Sequence, residues 1–335
     1  MLYREIIEKR EDEFLSEFAK KANTSKGRQS EEEKCILRTE FQRDKDRIIH
    51  SKAFRRLMYK TQVFLPMEED HYRTRMTHTL EVSQISRTIA RGLGLNEDLT
   101  EAISLGHDLG HTPFGHIGEK VLNQLYSKGF KHNEQSLRIV DVLEKKDKKQ
   151  GLNLTYEVRD GILNHTGKID PLTMEGQIVK TSDRIAYINH DIDDAFRNGI
   201  IKKDDLPKDS LDYLGHGHSQ RISSLVLDMI KESEGKDKIC MSEEATYHML
   251  KLRSFMFERV YLNPKVNCGN IAGKEEEIVE YIYRYYLKNP ERITDELQYL
   301  IEIYGEEETV KDYVAMMTDR YAIKRYEEIT KKKLG

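Results

Sequence analysis

The sequence predicts an all-α protein. Only six prolines occur in 335 residues, so few positions interrupt a helix. Apolar residues recur in most segments at the spacing of one helix face. Signals for strands, meaning short alternating runs rich in β-branched residues, are scarce. Together these observations favour a compact assembly of helices.

The first half of the chain predicts a series of helices joined by short loops. Residues 1–21 form an amphipathic helix, and a loop follows at 23–28. Residues 43–60 alternate basic with apolar side chains, and residues 110–118 form a turn that contains glycine and proline. Further helices are predicted over 77–93, 97–109, 134–145 and 155–165.

The second half begins with a long helix over 173–197, which Gly199 ends. Residues 202–220 are a loop-rich seam. Helices are then predicted over 221–233, 243–261, 274–288 and 294–303, with Pro290 ending one of them. The predicted organisation has three parts: an N-terminal helical extension (1–42), a core (43–205) and a C-terminal helical region packed on it (206–335).

Composition excludes several classes of protein. A net charge of −4 excludes a generally basic protein that coats nucleic acid, although a local basic groove stays open. Three cysteines without metal-ligand spacing fit a reducing cytoplasm. No run approaches the ~20 apolar residues that span a bilayer, and the first ten residues lack the apolar centre of a signal peptide. We therefore expect a cytoplasmic protein with no membrane partner.

A divalent metal site is indicated by His107 and Asp108, which are adjacent and flanked by glycines. At the frayed end of a helix both side chains can turn inward and supply half of such a site. His78 and Asp183, on two other predicted helices, are candidates for the other half. Two imidazoles and two carboxylates suit Mn²⁺, Fe²⁺, Mg²⁺, Ni²⁺ or Zn²⁺ and leave positions open for water and a phosphate oxygen.

These four residues resemble the ligand pattern of the HD-domain superfamily of metal-dependent phosphohydrolases. Longer segments between residues 28 and 200 are similar to the dNTP triphosphohydrolases, a family often described as deoxyguanosinetriphosphate triphosphohydrolase-like. The segments are Asp46–Arg56, Lys60–Phe64, Thr74–Glu81, His107–Glu119 and Ser182–Asp194. The resemblance implies an HD-domain helical core with additional N- and C-terminal helices, and one divalent metal ion per subunit. It also implies one reaction, hydrolysis of a dNTP at its α-phosphorus to a 2′-deoxynucleoside and inorganic triphosphate.

The resemblance also implies catalytic roles for four residues. His116 and Glu119 are three residues apart, so a helical turn places them on one face, where the carboxylate orients the imidazole for proton transfer. The alternative for Glu119 is a helix-start carboxylate that only complements the helix dipole. His111 and His132 are similar to two histidines that line the family's phosphate site.

Substrate contacts are implied for further residues. Arg75, Arg184 and Arg253 suit the triphosphate, because guanidinium groups bind phosphate oxygens in pairs. Tyr187 and Asp191 share a helix face with Asp183. A Tyr187 ring against the sugar C2′ would leave no room for a 2′-hydroxyl. Asp191 or Gln62 could bond the 3′-hydroxyl, and Tyr261 is a further pocket candidate.

Two other readings stay open. One is an HD phosphohydrolase that acts on nucleoside monophosphates. The other is a nucleotide-sensing or nucleic-acid-binding protein with vestigial activity, which the basic segment from Arg43 to Arg56 motivates. The resemblance implies a homo-oligomer, tetramer or hexamer, in which some members use a second dNTP as activator at a subunit interface. The sequence does not indicate the base preference, the native metal or a role for His165.

Overall fold

The computed structural model describes residues 2–62, 73–146, 149–261 and 273–334. Within these ranges the all-α prediction is confirmed, because α-helices dominate and are joined by loops and short 3₁₀ or π turns. The described exception is a small antiparallel hairpin formed by Lys145–Lys146 and Lys149–Gln150.

The helices described are numbered in chain order. Those of the first half are α1 Tyr3–Phe14, α2 Glu40–Ile49, α3 Lys52–Arg56, α4 Arg75–Gly92, α5 Glu97–Gly106, α6 His116–Leu125, α7 His132–Arg138 and α8 Tyr156–Asn164. Those of the second half are α9 Met174–Arg197, α10 Lys208–Leu214, α11 His218–Ser233, α12 Glu243–Met256, α13 Glu275–Lys288, α14 Asp295–Tyr304, α15 Glu306–Ala315 and α16 Asp319–Thr330. π-helical turns extend α7 over Ile139–Leu143 and α12 over Phe257–Tyr261.

Three helices form the frame of the site. α4 packs against α5 and α9, and α5 also packs against α2 and α8. Their inner faces are apolar: Ile89, Ile103 and Ile185, one from each helix, are fully buried. Burial of such side chains stabilises the fold by about 1.5–3 kcal/mol each. The three helices are therefore held in fixed relative positions.

Side-chain caps fix where these three helices begin. The Thr74 hydroxyl accepts a hydrogen bond from Thr77 N at the start of α4. The Asn96 side chain accepts from the amides of the first turn of α5, and Thr173 Oγ1 accepts from Gly176 N in α9. Each cap satisfies amides that have no partner within the helix.

The structure differs from the sequence prediction at several places. α1 ends at Phe14 rather than near residue 21, because the chain turns back and Ala22 N donates to the Glu11 carboxylate at 2.7 Å. α6 begins inside the predicted turn, and α10 lies inside the predicted seam. α15 and α16 follow the last predicted helix.

No helix in the described parts of the chain combines the length and the apolar character needed to cross a bilayer.

Candidate active site

The four predicted metal ligands lie together at the meeting point of α4, α5 and α9. His78 is on α4, His107 and Asp108 directly follow α5, and Asp183 is on α9. His78 Nε2 is 3.0 Å from Asp183 Oδ1 and 3.9 Å from Asp108 Oδ2. His107 Nε2 is 3.5 Å from Asp108 Oδ1 and 3.9 Å from Asp183 Oδ1.

This donor set fits a divalent cation. Ligand atoms bound at about 2.1 Å to one ion are about 3–4 Å apart from each other, and the four imidazole-to-carboxylate distances above lie in that range. The ligand atoms of His78, His107 and Asp108 all lie within 4.8 Å of one another, and Asp183 contacts this group through the two imidazoles. His107 Nδ1 lies 2.6 Å from the Ser104 carbonyl oxygen and donates its proton there. His107 Nε2 is buried and has no hydrogen-bond partner among the described residues. A buried lone pair aimed at two carboxylates is the arrangement of a metal-binding histidine.

The carboxylates of the cluster are held in their charged form. Burial opposes ionisation of Asp183, but His78 and His107 prevail and lower its pKa. Burial likewise opposes ionisation of Asp108, and His107, His111 and Arg75 hold its pKa well below the usual range. Ionised carboxylates are the form that binds cations.

Arg75 introduces positive charge beside this cluster. Its side chain is buried, and Nη1 donates to Asp108 Oδ2 at 2.9 Å. Nε and Nη2 are also buried and have no hydrogen-bond partner among the described residues. Buried donors are nearly always bonded in folded proteins. Arg75 therefore has unused hydrogen-bonding capacity and a positive charge next to the predicted metal position.

Glu119, His116 and His132 form the second part of the site. Glu119 lies nearer to His132, at 2.9 Å from Nδ1, than to His116, at 3.5 Å from Nδ1. Burial would raise the pKa of Glu119, but His116 and His132 lower it well below its usual range. Burial would lower the pKa of His132, but Glu119 prevails and raises it. The predicted pair is thus a group of three.

The contact between Glu119 and His132 has no local sequence signal, because His132 is the first residue of a different helix. The His116 side chain is 77% exposed, whereas its two partners are largely buried.

His111 and His165 complete a cluster of imidazoles. His111 stacks on His132 with ring centroids 4.1 Å apart, and its Nε2 is 3.1 Å from Asp108 Oδ1. His165 Nε2 is 3.3 Å from His132 Nε2. Burial, with the nearby His107 and His132, lowers the pKa of His165 to about 3. The sequence indicated no role for His165, and the spacing of His165 from the other histidines does not predict that it lies in this cluster.

The predicted sugar-binding residues Tyr187 and Asp191 lie on α9, and each is hydrogen-bonded to another predicted substrate contact: Tyr187 to Arg253, which was predicted to bind the triphosphate, and Asp191 to Tyr261. Arg253 Nε donates to the Tyr187 hydroxyl at 2.8 Å. The Tyr261 hydroxyl donates to Asp191 Oδ2, and burial raises the pKa of Asp191 to about 7.

Arg184 and Gln62 are the remaining predicted substrate contacts. Arg184 directly follows Asp183 on α9 and is half-buried. Gln62 is half-buried, and its Oε1 is buried without a hydrogen-bond partner among the described residues.

The basic segment around α2 and α3 has its charges largely neutralised. Arg43 Nη1 is 3.1 Å from Glu40 Oε1, and Lys45 Nζ is 3.0 Å from Asp98 Oδ1. Arg47 pairs with Glu32, and Lys52 Nζ is 2.9 Å from Glu296 Oε1. These pairings reduce the positive charge available to a nucleic-acid backbone.

Comparison with known proteins gives matches over nearly the whole chain. A family model for the HD domain matches residues 75–188, and one for a phosphohydrolase-associated domain matches residues 239–328. A deoxyguanosinetriphosphate triphosphohydrolase-like protein of Caldanaerobacter subterraneus subsp. tengcongensis is 56% identical over 98% of this chain and 96% of its own length. The chain belongs to this family. Another member, from Desulfatibacillum aliphaticivorans, is 46% identical over 98% of both chains.

The fold is also that of solved proteins. A phosphohydrolase from Bacteroides thetaiotaomicron superposes with a TM-score of 0.54 at 16% identity, covering 83% of this chain and 66% of that one. The HD-domain match and the relatives that cover nearly the whole chain confirm the predicted family, and the chain is an HD-domain phosphohydrolase. All four predicted ligands lie within the HD-domain match, and α13 to α16 fall almost entirely within the associated-domain match.

Proposed function

We propose that the protein hydrolyses deoxynucleoside triphosphates at the α-phosphorus and releases a 2′-deoxynucleoside and inorganic triphosphate. The observation that carries this proposal is the buried Arg75 guanidinium, which binds Asp108 and keeps two N–H groups unpartnered among the described residues. A polyphosphate beside the cluster would satisfy both groups. The relatives that match nearly the whole chain are named as deoxyguanosinetriphosphate triphosphohydrolase-like proteins, which supports the same chemistry.

His78, His107, Asp108 and Asp183 would hold one divalent ion, and Mn²⁺ and Mg²⁺ are the first to test. When bound, the ion supplies Lewis-acid polarisation of a phosphate oxygen. Arg75, and Arg184 next to the ligand Asp183, would hold phosphate oxygens by charge-assisted hydrogen bonds. Burial, and after it the nearby charge of Arg75, lower the pKa of His111 and keep its ring neutral. That ring would donate one further hydrogen bond to a phosphate oxygen.

Proton transfer falls to the group of His116, Glu119 and His132. In the reaction, water forms a bond to the α-phosphorus while the bond from phosphorus to the 5′-oxygen breaks. The leaving 5′-oxygen takes up one proton, and the attacking water loses one. An imidazole beside an ionised carboxylate binds its proton more tightly, and Glu119 raises the pKa of His132 in this way. His116, more exposed, is the candidate for contact with the reacting groups.

Sugar selection would depend on Tyr187, Asp191 and Tyr261. A Tyr187 ring held by Arg253 would occupy the space of a ribose 2′-hydroxyl. Asp191, whose pKa lies near 7, can either donate or accept a hydrogen bond with the 3′-hydroxyl. Gln62 Oε1, buried without a partner among the described residues, is a second acceptor for that hydroxyl.

Product analysis tests the proposal. The purified protein is incubated with each dNTP and Mn²⁺ or Mg²⁺, with an EDTA-treated sample as control, and the products are resolved by ion-exchange chromatography. We expect deoxynucleoside and triphosphate in equal amounts, and no turnover after EDTA. Monophosphate with pyrophosphate would contradict the proposed bond cleavage. Hydrolysis restricted to nucleoside monophosphates would favour the other HD phosphohydrolase activity.

The resemblance also predicts a homo-oligomer, a tetramer or hexamer, and a second dNTP as activator. A groove of about 1470 Å³ between α3 and the α15–α16 pair is a candidate for that second nucleotide, because Arg38, Arg55 and Arg56 line it. Light scattering with and without nucleotide measures the subunit number. Activity that appears only in dNTP mixtures would support activation, whereas equal activity with single nucleotides would contradict it.

A further inference from the structure

The loop between the metal cluster and α6 has an unusual backbone. Phe114 and Gly115 both have positive φ angles, 59° and 57°. Glycine adopts this region readily, but a phenylalanine rarely does, so contacts from outside the loop must hold Phe114. The loop matters to the site because His111 precedes these two residues and His116 follows them.

Asp319, the first residue of α16, supplies such a contact from the C-terminal region. Its Oδ1 accepts a hydrogen bond from Phe114 N at 2.9 Å. Its Oδ2 accepts one from Thr61 N at 2.8 Å and another from the Thr61 hydroxyl. The side chain is 7% exposed, so these bonds lie away from solvent. One carboxylate thus ties together the His111–His116 loop and the segment that leads to Gln62.

Lys60 binds the same loop from its other end. Its Nζ donates to the His111 carbonyl oxygen and, at 2.9 Å, to the carbonyl oxygen of Ala315, the last residue of α15. An N–H donor here satisfies a carbonyl oxygen that has no partner within the last turn of the helix. The turn between α15 and α16 is therefore linked to the loop at two points, through Lys60 at the His111 carbonyl oxygen and through Asp319 at the Phe114 amide.

The position of His116 depends on this arrangement more than on packing. Its side chain is 77% exposed, so few neighbours restrain the ring. It directly follows Gly115, and the backbone of that loop decides where the ring lies relative to Glu119.

We propose that Asp319 is a positioning residue, by which the C-terminal helices hold the His111–His116 loop in the conformation that the active site requires. The inference rests on the proposed hydrolysis, because it assigns the loop's histidines to that reaction. Asp319 itself touches neither the metal ligands nor a reacting group.

The test compares Asp319→Asn with Tyr326→Phe. Asparagine keeps the size of the side chain but presents an N–H donor in place of one accepting oxygen, opposite either Phe114 N or Thr61. Tyr326→Phe removes one hydroxyl bond, to Glu277, from the same helix and serves as the matched control. We expect kcat for dNTP hydrolysis to fall about tenfold to hundredfold in Asp319→Asn, as small displacements of reacting groups do. KM and bound metal should stay unchanged, and Tyr326→Phe should have wild-type kcat.

A second readout does not need activity. In protein labelled with ¹³C-histidine, the His116 ring resonance, assigned with a His116→Gln sample, should move by more than its line width in Asp319→Asn and stay in place in Tyr326→Phe. If wild-type protein hydrolyses no dNTP, the proposed function fails, and this spectrum alone decides on the positioning role. An unmoved His116 resonance, or a kcat equal to that of the control, would overturn the inference.

A milder pair of variants covers the case in which Asp319→Asn does not fold. Thr61→Val removes one donor to Asp319, whereas Thr309→Val removes the bond from another buried threonine hydroxyl, to the Gly305 carbonyl oxygen at the start of α15. We expect kcat to fall about threefold in Thr61→Val, because Thr61 N and Phe114 N still donate to Asp319 and only one hydrogen bond is lost. Thr309→Val should keep wild-type kcat, and equal values in the two variants would overturn the proposal.

Discussion

Three carboxylates spaced eight residues apart on α9 differ in charge: Glu175 and Asp191 are buried, and Asp183 is partly buried, with its side chain 21% exposed. Asp183, in the middle of the helix, has a lowered pKa because His78 and His107 outweigh the effect of burial. Glu175 and Asp191, toward the two ends, have pKa values that burial raises to about 7. The same helix therefore carries one charged group between two that are neutral in mildly acidic solution.

The difference comes from the partners. Glu175 Oε1 accepts hydrogen bonds from the backbone amides of Lys20 and Asn96, at 2.9 and 3.0 Å, and Asp191 accepts one from Tyr261. Neutral donors offset only part of the cost of burying a charge, whereas nearby imidazoles keep Asp183 ionised. On this helix, a carboxylate that stays charged marks the predicted metal site, and burial alone does not.

The largest expected effect is that of Asp183→Ala. Removing the charged carboxylate should abolish both metal binding and turnover, a loss greater than the roughly 10–100-fold cost of changing an outer partner of a metal ligand. Metal content by plasma mass spectrometry and dNTP turnover measure the two effects. Full occupancy in this variant would place the ion elsewhere.

Glu119→Gln should lower kcat by about a hundredfold, within the range of general acid–base catalysis, while metal content stays at the wild-type level. The physical reason is the loss of the charge that raises the pKa of His132. Wild-type rates from this variant would show that the Glu119 carboxylate has no role in the reaction. Loss of metal would show that Glu119 is also needed for metal binding.

Asp191→Asn should change kcat/KM by less than about tenfold at pH 6.5, because asparagine resembles the protonated acid and only one neutral hydrogen bond changes. Asp183→Asn, tested beside it, should be nearly inactive. Similar losses in the two variants would contradict the difference in charge between these positions.

The smallest effect on activity is expected for Glu175→Gln, which should alter stability instead. Since the folded pKa of Glu175 is about 7, above its ordinary value of 4.5, the folded state binds more protons than the unfolded chain between these pH values. Its contribution to stability therefore falls as pH rises through this window. Glu175→Gln should raise the free energy of unfolding by about 1–3 kcal/mol at pH 8 and by much less at pH 5. Urea unfolding at both pH values measures this, and equal shifts would contradict the raised pKa.

Local patterns in the sequence predicted the frame of the site well. Periodicity predicted three central helices over 77–93, 97–109 and 173–197, and the structure has them at Arg75–Gly92, Glu97–Gly106 and Met174–Arg197. The predicted ligands His78 and Asp183 lie on two of them, and His107 and Asp108 directly follow the third. These signals are local, so one chain without relatives is enough to find them.

The remaining features depend on contacts between distant segments. The nearer partner of Glu119 is His132, on another helix, and His165 reaches the same cluster from the end of α8. Asp319 looks like an ordinary first-turn acid in the sequence, yet its oxygens bond Phe114 and Thr61. The side-chain pattern of one segment does not contain such pairings.

The most direct test of the central claim is anomalous diffraction from crystals of the active protein grown with Mn²⁺. We expect one strong anomalous peak per chain, within about 2.0–2.3 Å of the Nε2 atoms of His78 and His107 and of carboxylate oxygens of Asp108 and Asp183. The absence of a peak there, or a single peak bound by other residues, would contradict it.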